Sequence, residues 1–317
     1  MSETGTAARK AAVPKGAGGH GGAKTPPIPE GKALFFCIGA QKAGTSWLAN
    51  YFAGHPECRF SVDKEMHYFD VTRGGLTGMI RRQADVLRHR VNRLHHNPQR
   101  DYGGKLNKIE DSVALLQMYR PRLHGDTQYM KLMLKRAGDA RILCDFTPEY
   151  GHLDADGMRE LACFADHRPY FLFVMRDPVE RLWSQIRMEM DHRGLAREKW
   201  PKAARELAES MLADGPLAKG RYNDYRHTLE TLDASVAADR RRVLFMEELF
   251  DQETLDGLCD FLGVGRHEAD FSPVHEGRPL DLPRDLRKRM RKSLDDTYRY
   301  VARRFPDRRP KSWAWDG

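Results

Sequence analysis

The chain has 317 residues, 40% hydrophobic and 31% charged, enough to bury a sizeable core and most simply one α/β domain with additions. Lys and Arg number 53 against 45 Asp and Glu, a net charge of +8, with twelve basic and four acidic residues between Arg284 and Lys311; Leu286 and Met290 at helical spacing make that stretch a solvated basic surface helix rather than a nucleic-acid site. Five cysteines without C-x-x-C spacing read as reduced core residues, and no run approaches the ~18 apolar residues of a membrane span, so a cytoplasmic protein is expected.

Residues 1–32, rich in Ala, Gly, Lys and Pro, cannot bury enough apolar surface to order themselves and are expected to form a disordered tail before a single domain at 33–317. Ala33 to Ile38 is a continuous apolar run of strand length, followed by a glycine loop, Gly39 to Gly44, and by Thr45 to Phe52, whose apolar spacing is helical. Residues 74–137 read as a helical insertion: Met79 to Leu94 is basic and amphipathic, Asp111-Ser112 is expected to open a second helix, and Asp126-Thr127 to cap a third. Arg141 to Asp145 and Tyr170 to Met175 follow as strands, the latter apolar on both faces like a central parallel strand. Arg176-Asp177-Pro178 turns the chain into a helix over Val179 to Met190, with Pro178 in its first turn. Arg242 to Met246 forms a fourth strand, and the helix Gln252 to Leu262 ends at Gly263. The expected fold is α/β: a P-loop-like three-layer arrangement with a central parallel sheet flanked by helices, ligands lying at the carboxyl ends of the strands.

Two such ends carry chemistry. The loop Gly39-Ala40-Gln41-Lys42-Ala43-Gly44-Thr45-Ser46 has the glycine spacing of a nucleotide phosphate loop, but Thr45 stands where the NTP-binding lysine would follow the second glycine. The lysine sits inside the loop instead, at Lys42. Backbone N–H groups of Gly44, Thr45 and Ser46 at a helix start, with the Thr45 and Ser46 hydroxyls, suit an anion. Beyond the third strand, Arg176 and Ser184 can converge on a phosphate monoester, since a guanidinium binds two of its oxygens at once.

Lys42 within Gln41-Lys42-Ala43-Gly44-Thr45-Ser46-Trp47-Leu48, followed by Arg176-Asp177-Pro178-x-x-Arg181-x-x-Ser184, resembles the paired signatures of sulfotransferases that use 3′-phosphoadenosine 5′-phosphosulfate (PAPS). The resemblance implies that Gln41 to Trp47 hold the 5′-phosphosulfate end and that Arg176 and Ser184 hold the 3′-phosphate. Lys64-Glu65-Met66-His67-Tyr68-Phe69-Asp70 is similar to a segment of heparan-sulfate-type and bacterial carbohydrate sulfotransferases, in which the matching glutamate is the base. From the residues alone either Glu65 or His67 could take a proton; the resemblance favours Glu65. Asp145-Phe146-Thr147-Pro148-Glu149-Tyr150 resembles the family's Glu-Lys-Ser-Pro-x-Tyr segment, with Phe146 in place of a lysine, and His275-Glu276-Gly277-Arg278 matches a cofactor-contacting loop only in Gly277 and Arg278. The implied activity is sulfuryl transfer from PAPS, without a metal, to a carbohydrate, lipid or small-alcohol acceptor, releasing adenosine 3′,5′-bisphosphate. Two other classes stand beside it: a P-loop kinase or ATPase, which needs the lysine after Gly44 and a carboxylate for Mg²⁺, and a basic polyanion-binding protein.

Overall fold

A computed structural model describes residues 27–96, 101–119, 125–164, 169–213, 223–272 and 279–314. Five parallel strands form one sheet: β1 (Ala33–Cys37), β2 (Cys58–Phe60), β3 (Ile142–Asp145), β4 (Tyr170–Met175) and β5 (Arg241–Phe245), in the order β2-β3-β1-β4-β5. The apolar runs of β1, β3 and β4 are nearly continuous because these strands are covered on both faces, as parallel strands must be. Strand β2 has only three residues, one of them the exposed Arg59, too short and too polar to stand out in the sequence.

Helices α1 (Thr45–Gly54), α2 (Tyr68–Asp70), α3 (Leu76–His96), α4 (Tyr102–Met118) and α5 (Gly125–Leu134) lie between β1 and β3 in the chain, interrupted by β2. Helix α6 (Ala155–Ala162) precedes β4; α7 (Pro178–His192), α8 (Trp200–Ala213) and α9 (Tyr225–Ser235) precede β5; α10 (Gln252–Leu262), α11 (Arg284–Ser293) and α12 (Asp295–Arg304) close the chain. Phe35 points to one face of the sheet, where its ring meets Phe52 of α1 and Phe146 edge to face; Phe36 points to the other, against Phe69 and Tyr150. Each such pair adds roughly 0.5–1.5 kcal/mol beyond the area it buries.

Chain order reverses about β1, with β2 and β3 on one side and β4 and β5 on the other. The crevice outside the carboxyl ends of β1 and β4 is therefore the topological switch point. Pairing runs beyond β1 into its loop: Ala40 N–H donates to the Val174 carbonyl at 2.7 Å, and Val174 N–H to the Gly39 carbonyl at 2.8 Å. The glycine loop is thus tied to the strand that delivers Arg176.

Several expectations shift. Residues 27–32 belong to the domain and not to the tail, because Ile28 is buried and Lys32 Nζ donates to the carbonyls of Gly138 and Ala140 at 2.7 and 2.5 Å. Asp111-Ser112 does not open a helix. Helix α4 starts nine residues earlier, capped by Asp101, and Asp111 is a buried carboxylate held by Lys135 at 2.9 Å and Arg136 at 2.6 Å. Asp126-Thr127 lies inside the first turn of α5. Cys163 is exposed, whereas Cys37, Cys58, Cys144 and Cys259 are buried thiols. The basic C-terminal helix α11 docks through Leu286 and Met290, and Arg287 and Arg289 reach Glu180 at 2.5 Å and Glu209 at 3.5 Å. No helix among the described residues is long and apolar enough to cross a membrane.

Candidate active site

The loop after β1 turns where only glycine fits. Gly44 has φ +82°, and a Cβ there would stand 3.0 Å from the Leu249 side chain; at Gly39, φ is +134° with Phe173 and the Pro148 carbonyl 3.2 Å away. Lys42 itself is left-handed at φ +68°, and His67 at +51°; with Asp101 they are the only such non-glycine residues described. Strain of this kind, ~1–3 kcal/mol each, persists where surrounding structure imposes it, and here it falls on two residues singled out for chemistry.

Gly44 begins α1 without a capping side chain, so the first-turn N–H groups face the crevice with the dipole behind them. Lys42 Nζ lies 3.8 Å from Met188 Sδ on α7, across from the loop. Arg176, at the end of β4, donates to the Lys42 carbonyl at 3.0 Å; its own carbonyl accepts from Tyr225 Oη at 2.6 Å. Arg181 is fully buried and joins α7 to the chain beyond α8 and to the loop, donating to Asn223 Oδ1 at 2.7 Å, Gln185 Oε1 at 3.0 Å and the Gln41 carbonyl at 3.5 Å. Ser184 is buried between Arg181 and Met188 on the helix face that meets the loop. Burial first, then the charges of Arg176, Arg187 and Lys64, push the Lys42 ammonium below its ordinary pKa. Among the described residues neither Lys42 nor Arg176 is in ion-pair contact with a carboxylate. This is the electrostatic setting of a site that receives an anion.

The other side of the crevice is built by β3. Asp145, wholly buried at the strand's carboxyl end, accepts from Met66 N–H (3.2 Å), Thr147 Oγ1 (2.6 Å), Tyr129 Oη (2.9 Å) and Tyr150 Oη (2.9 Å). Burial raises its pKa to about 6 against the pull of those donors. Thr147 also receives His67 N–H at 3.3 Å, and Tyr150 Oη receives Tyr68 N–H at 3.0 Å. The segment 65–68 is thereby pinned beside the loop. Lys64 bridges the two, with Nζ 3.2 Å from Ser46 Oγ and 2.8 Å from Glu65 Oε1.

His67 is almost fully buried among three carboxylates: Asp70 at 3.0 Å, Glu65 at 3.4 Å and Glu149 at 3.8 Å. Burial works against its charge, but the hydrogen bond to Asp70, the ion pair with Glu65 and the nearby carboxylates lift its pKa to about 10. Burial likewise opposes ionisation of Glu65, and His67 and Lys64 overcome it, holding that carboxyl down to about 2. Glu149 is pushed upward, by burial first and by Glu65 among the nearby charges. Two neighbouring carboxyls are driven apart, Glu65 ionised and Glu149 the more basic. The donor set Glu65, His67 and Glu149 also lies close enough to hold a metal ion. Such an ion would have to displace the proton that makes His67 and its carboxylates a charge clamp.

The structure therefore brings Lys42, Ser46, Arg176, Ser184, Glu65 and His67 to one crevice. The Trp47 ring is tilted on Phe250 at 5.0 Å and stacked on Phe271 at 5.8 Å. Phe146, at the position of the family's lysine, turns into the core against Phe60, Phe35 and Phe52. Gly277 and Arg278 lie outside the described residues; the chain resumes at Pro279 and is held to α7 by Trp183 Nε1 donating to the Leu280 carbonyl at 2.7 Å. Asp145, which the kinase reading would take as its Mg²⁺ carboxylate, is bound up inside the fold, and the sequence motifs assign no site role to Lys64, Arg181 or Arg187. Arg181 had a signal, its place in the Arg-Asp-Pro-x-x-Arg spacing; the others acquire their roles only through packing.

A model of the sulfotransferase family matches residues 35–268. Among solved structures, the chain is similar to a sulfotransferase from Alicyclobacillus acidocaldarius, with 19% identity, a TM-score of 0.56, and coverage of 88% of this chain and 97% of that one. The sulfotransferase domain of the Synechococcus PCC 7002 olefin synthase aligns with 16% identity and a TM-score of 0.45, covering 86% of this chain and 96% of that one. A sulfotransferase domain from the curacin biosynthetic pathway aligns with 17% identity and a TM-score of 0.42, covering 87% and 92%. No curated protein matches the chain.

Proposed function

The chain belongs to the sulfotransferase family, and we propose that it carries the sulfuryl group of PAPS to a hydroxyl or amine of a carbohydrate-like acceptor, releasing adenosine 3′,5′-bisphosphate. The observation that carries the donor assignment is the convergence of Lys42, Arg176 and the uncapped start of α1 on one crevice, with Ser184 on the facing helix. Cations without carboxylate partners among the described residues and a bare helix start fit a ligand bearing several anionic groups. PAPS supplies an activated sulfur–oxygen bond whose rupture leaves negative charge on a phosphate oxygen.

The residues divide the work. Lys42, inside the loop rather than after it, is the point charge placed to stabilise that leaving oxygen. Arg176 and Ser184 hold a second phosphate away from the reaction, fixing the line of transfer. Glu65 accepts the acceptor's proton as the new bond to sulfur forms. Lys64 shares its ammonium between Ser46 and Glu65, so an anion on the loop competes for that charge and makes Glu65 a stronger base when the donor is present.

The kinase reading lacks its lysine after Gly44, and both oxygens of Asp145 are occupied by protein donors, leaving it poorly suited to Mg²⁺. Calorimetric titration separates the two. Adenosine 3′,5′-bisphosphate should bind without Mg²⁺ and ATP with Mg²⁺ should not; the reverse order would overturn the proposal.

A further inference from the structure

Arg187 belongs to neither motif, yet it stands one turn beyond Ser184 on α7, on the side of the helix that meets the loop. The contact between its neighbour Met188 and Lys42 Nζ fixes how close that turn comes. The guanidinium is near enough for its charge to depress the pKa of both Lys42 and Arg176. Its Nε is buried without a hydrogen-bond partner among the described residues. The opposing charges nearby are Asp191, one turn further along α7, and Glu180 and Glu247 beside Arg176; Glu180 is taken by Arg287 at 2.5 Å and Glu247 by Trp313 Nε1 at 2.7 Å.

A buried donor left unmade destabilises a fold, and one set among like charges does so further. Such an arrangement is stable only in compensation, when an anion arrives to meet all the cations at once. We propose that Arg187 is a third cationic anchor for the anionic donor, binding one of the two phosphate groups that Lys42 and Arg176 hold at the nucleotide's two ends. This rests on the donor reading above. The assignment carries an unusual signature, because a residue kept for a ligand and not for the fold should weaken binding and relieve the empty protein when it is removed.

The full-length wild type, Arg187→Met and Arg187→Lys would be titrated calorimetrically with adenosine 3′,5′-bisphosphate and melted without ligand. Arg187→Met keeps the aliphatic packing and should weaken the bisphosphate about tenfold to a hundredfold, the range for one charge-assisted contact. Its melting temperature without ligand should equal or exceed that of the wild type. Arg187→Lys should recover part of the affinity. Binding by Arg187→Met within twofold of wild type, or a ligand-free melting temperature lowered in both variants, would overturn the assignment alone. A wild type that binds no bisphosphate would overturn the donor reading and this anchor with it.

Discussion

The strand-end crevice and the α3–α4 hairpin are built on opposite principles. In the crevice each functional segment is held through its own backbone: the loop by the backbone of Val174, Arg176 by Tyr225 Oη, segment 65–68 by the side chains of Asp145 and Tyr150. Helices α3 and α4 instead present a groove of about 800 Å³ lined by Arg81, Arg82, His89, Arg90, Arg93 and Lys108, with Asp85 engaged by Arg88. Among the described residues, four of the six exposed large apolar side chains, Val91, Tyr102, Leu106 and Val113, are also on this pair of helices. Still, the two regions touch. Tyr119, just past α4, donates to the Met66 carbonyl at 2.8 Å, and Arg82 is close enough for its charge to be felt at Tyr119. We propose from this difference a division of labour: transfer chemistry needs groups fixed to fractions of an ångström, whereas selection of the acceptor, on α3 and α4, tolerates a charged surface.

The largest effect should come from the crevice. Lys42→Ala removes the charge beside the leaving oxygen and should cut kcat about a hundredfold or more, the equivalent of ~3 kcal/mol, with the melting temperature unchanged or raised. Retention of more than a tenth of the rate in a steady-state assay would remove Lys42 from the chemistry. Next, Glu65→Gln should lower kcat about a hundredfold while leaving bisphosphate affinity near wild type. The same residue fixes a pH signature: with the Glu65 carboxyl at about 2 and His67 at about 10, the free enzyme's kcat/KM should show no limb near 4.5 or 6.5, the values these groups otherwise take. The sign for stability follows. The Glu65 contribution is present above 4.5 and is lost as pH falls toward 2, while that of His67 is complete below 6.5 and is lost as pH rises through 10. Melting curves across that range, with His67→Gln as the comparison, would show whether the alkaline loss belongs to the clamp. Smallest, and a direct test of the division itself, the pair Arg82→Ala and Arg93→Ala should raise KM for an anionic acceptor severalfold and leave bisphosphate affinity unchanged. A fall in nucleotide affinity instead would join the two regions into one site.

Much of the crevice was legible because its chemistry is local. A glycine that must take φ +82°, a lysine inside the loop and Pro178 in a first turn are statements about neighbours in the chain. The four longer strands and the end of α10 at the left-handed Gly263 were readable for the same reason. The failures were places where distant residues decide. Asp111-Ser112 looks like a cap until Lys135 and Arg136 claim the aspartate in mid-helix. Phe146 looks like a lost catalytic position until three other phenylalanine rings surround it.

By itself, then, the sequence determined the alternation of strands and helices and the glycine loop between β1 and α1, because periodicity and turn stereochemistry act over a few residues. Tertiary structure alone decided that Lys64 links the loop to Glu65, that three carboxylates surround His67, and that the charge of Arg187 is felt at Lys42 while its Nε has no partner among the described residues. Those are facts of desolvation and of charge brought together across the sheet. No spacing along the chain encodes them, since the dielectric around a group is set only once the core has closed.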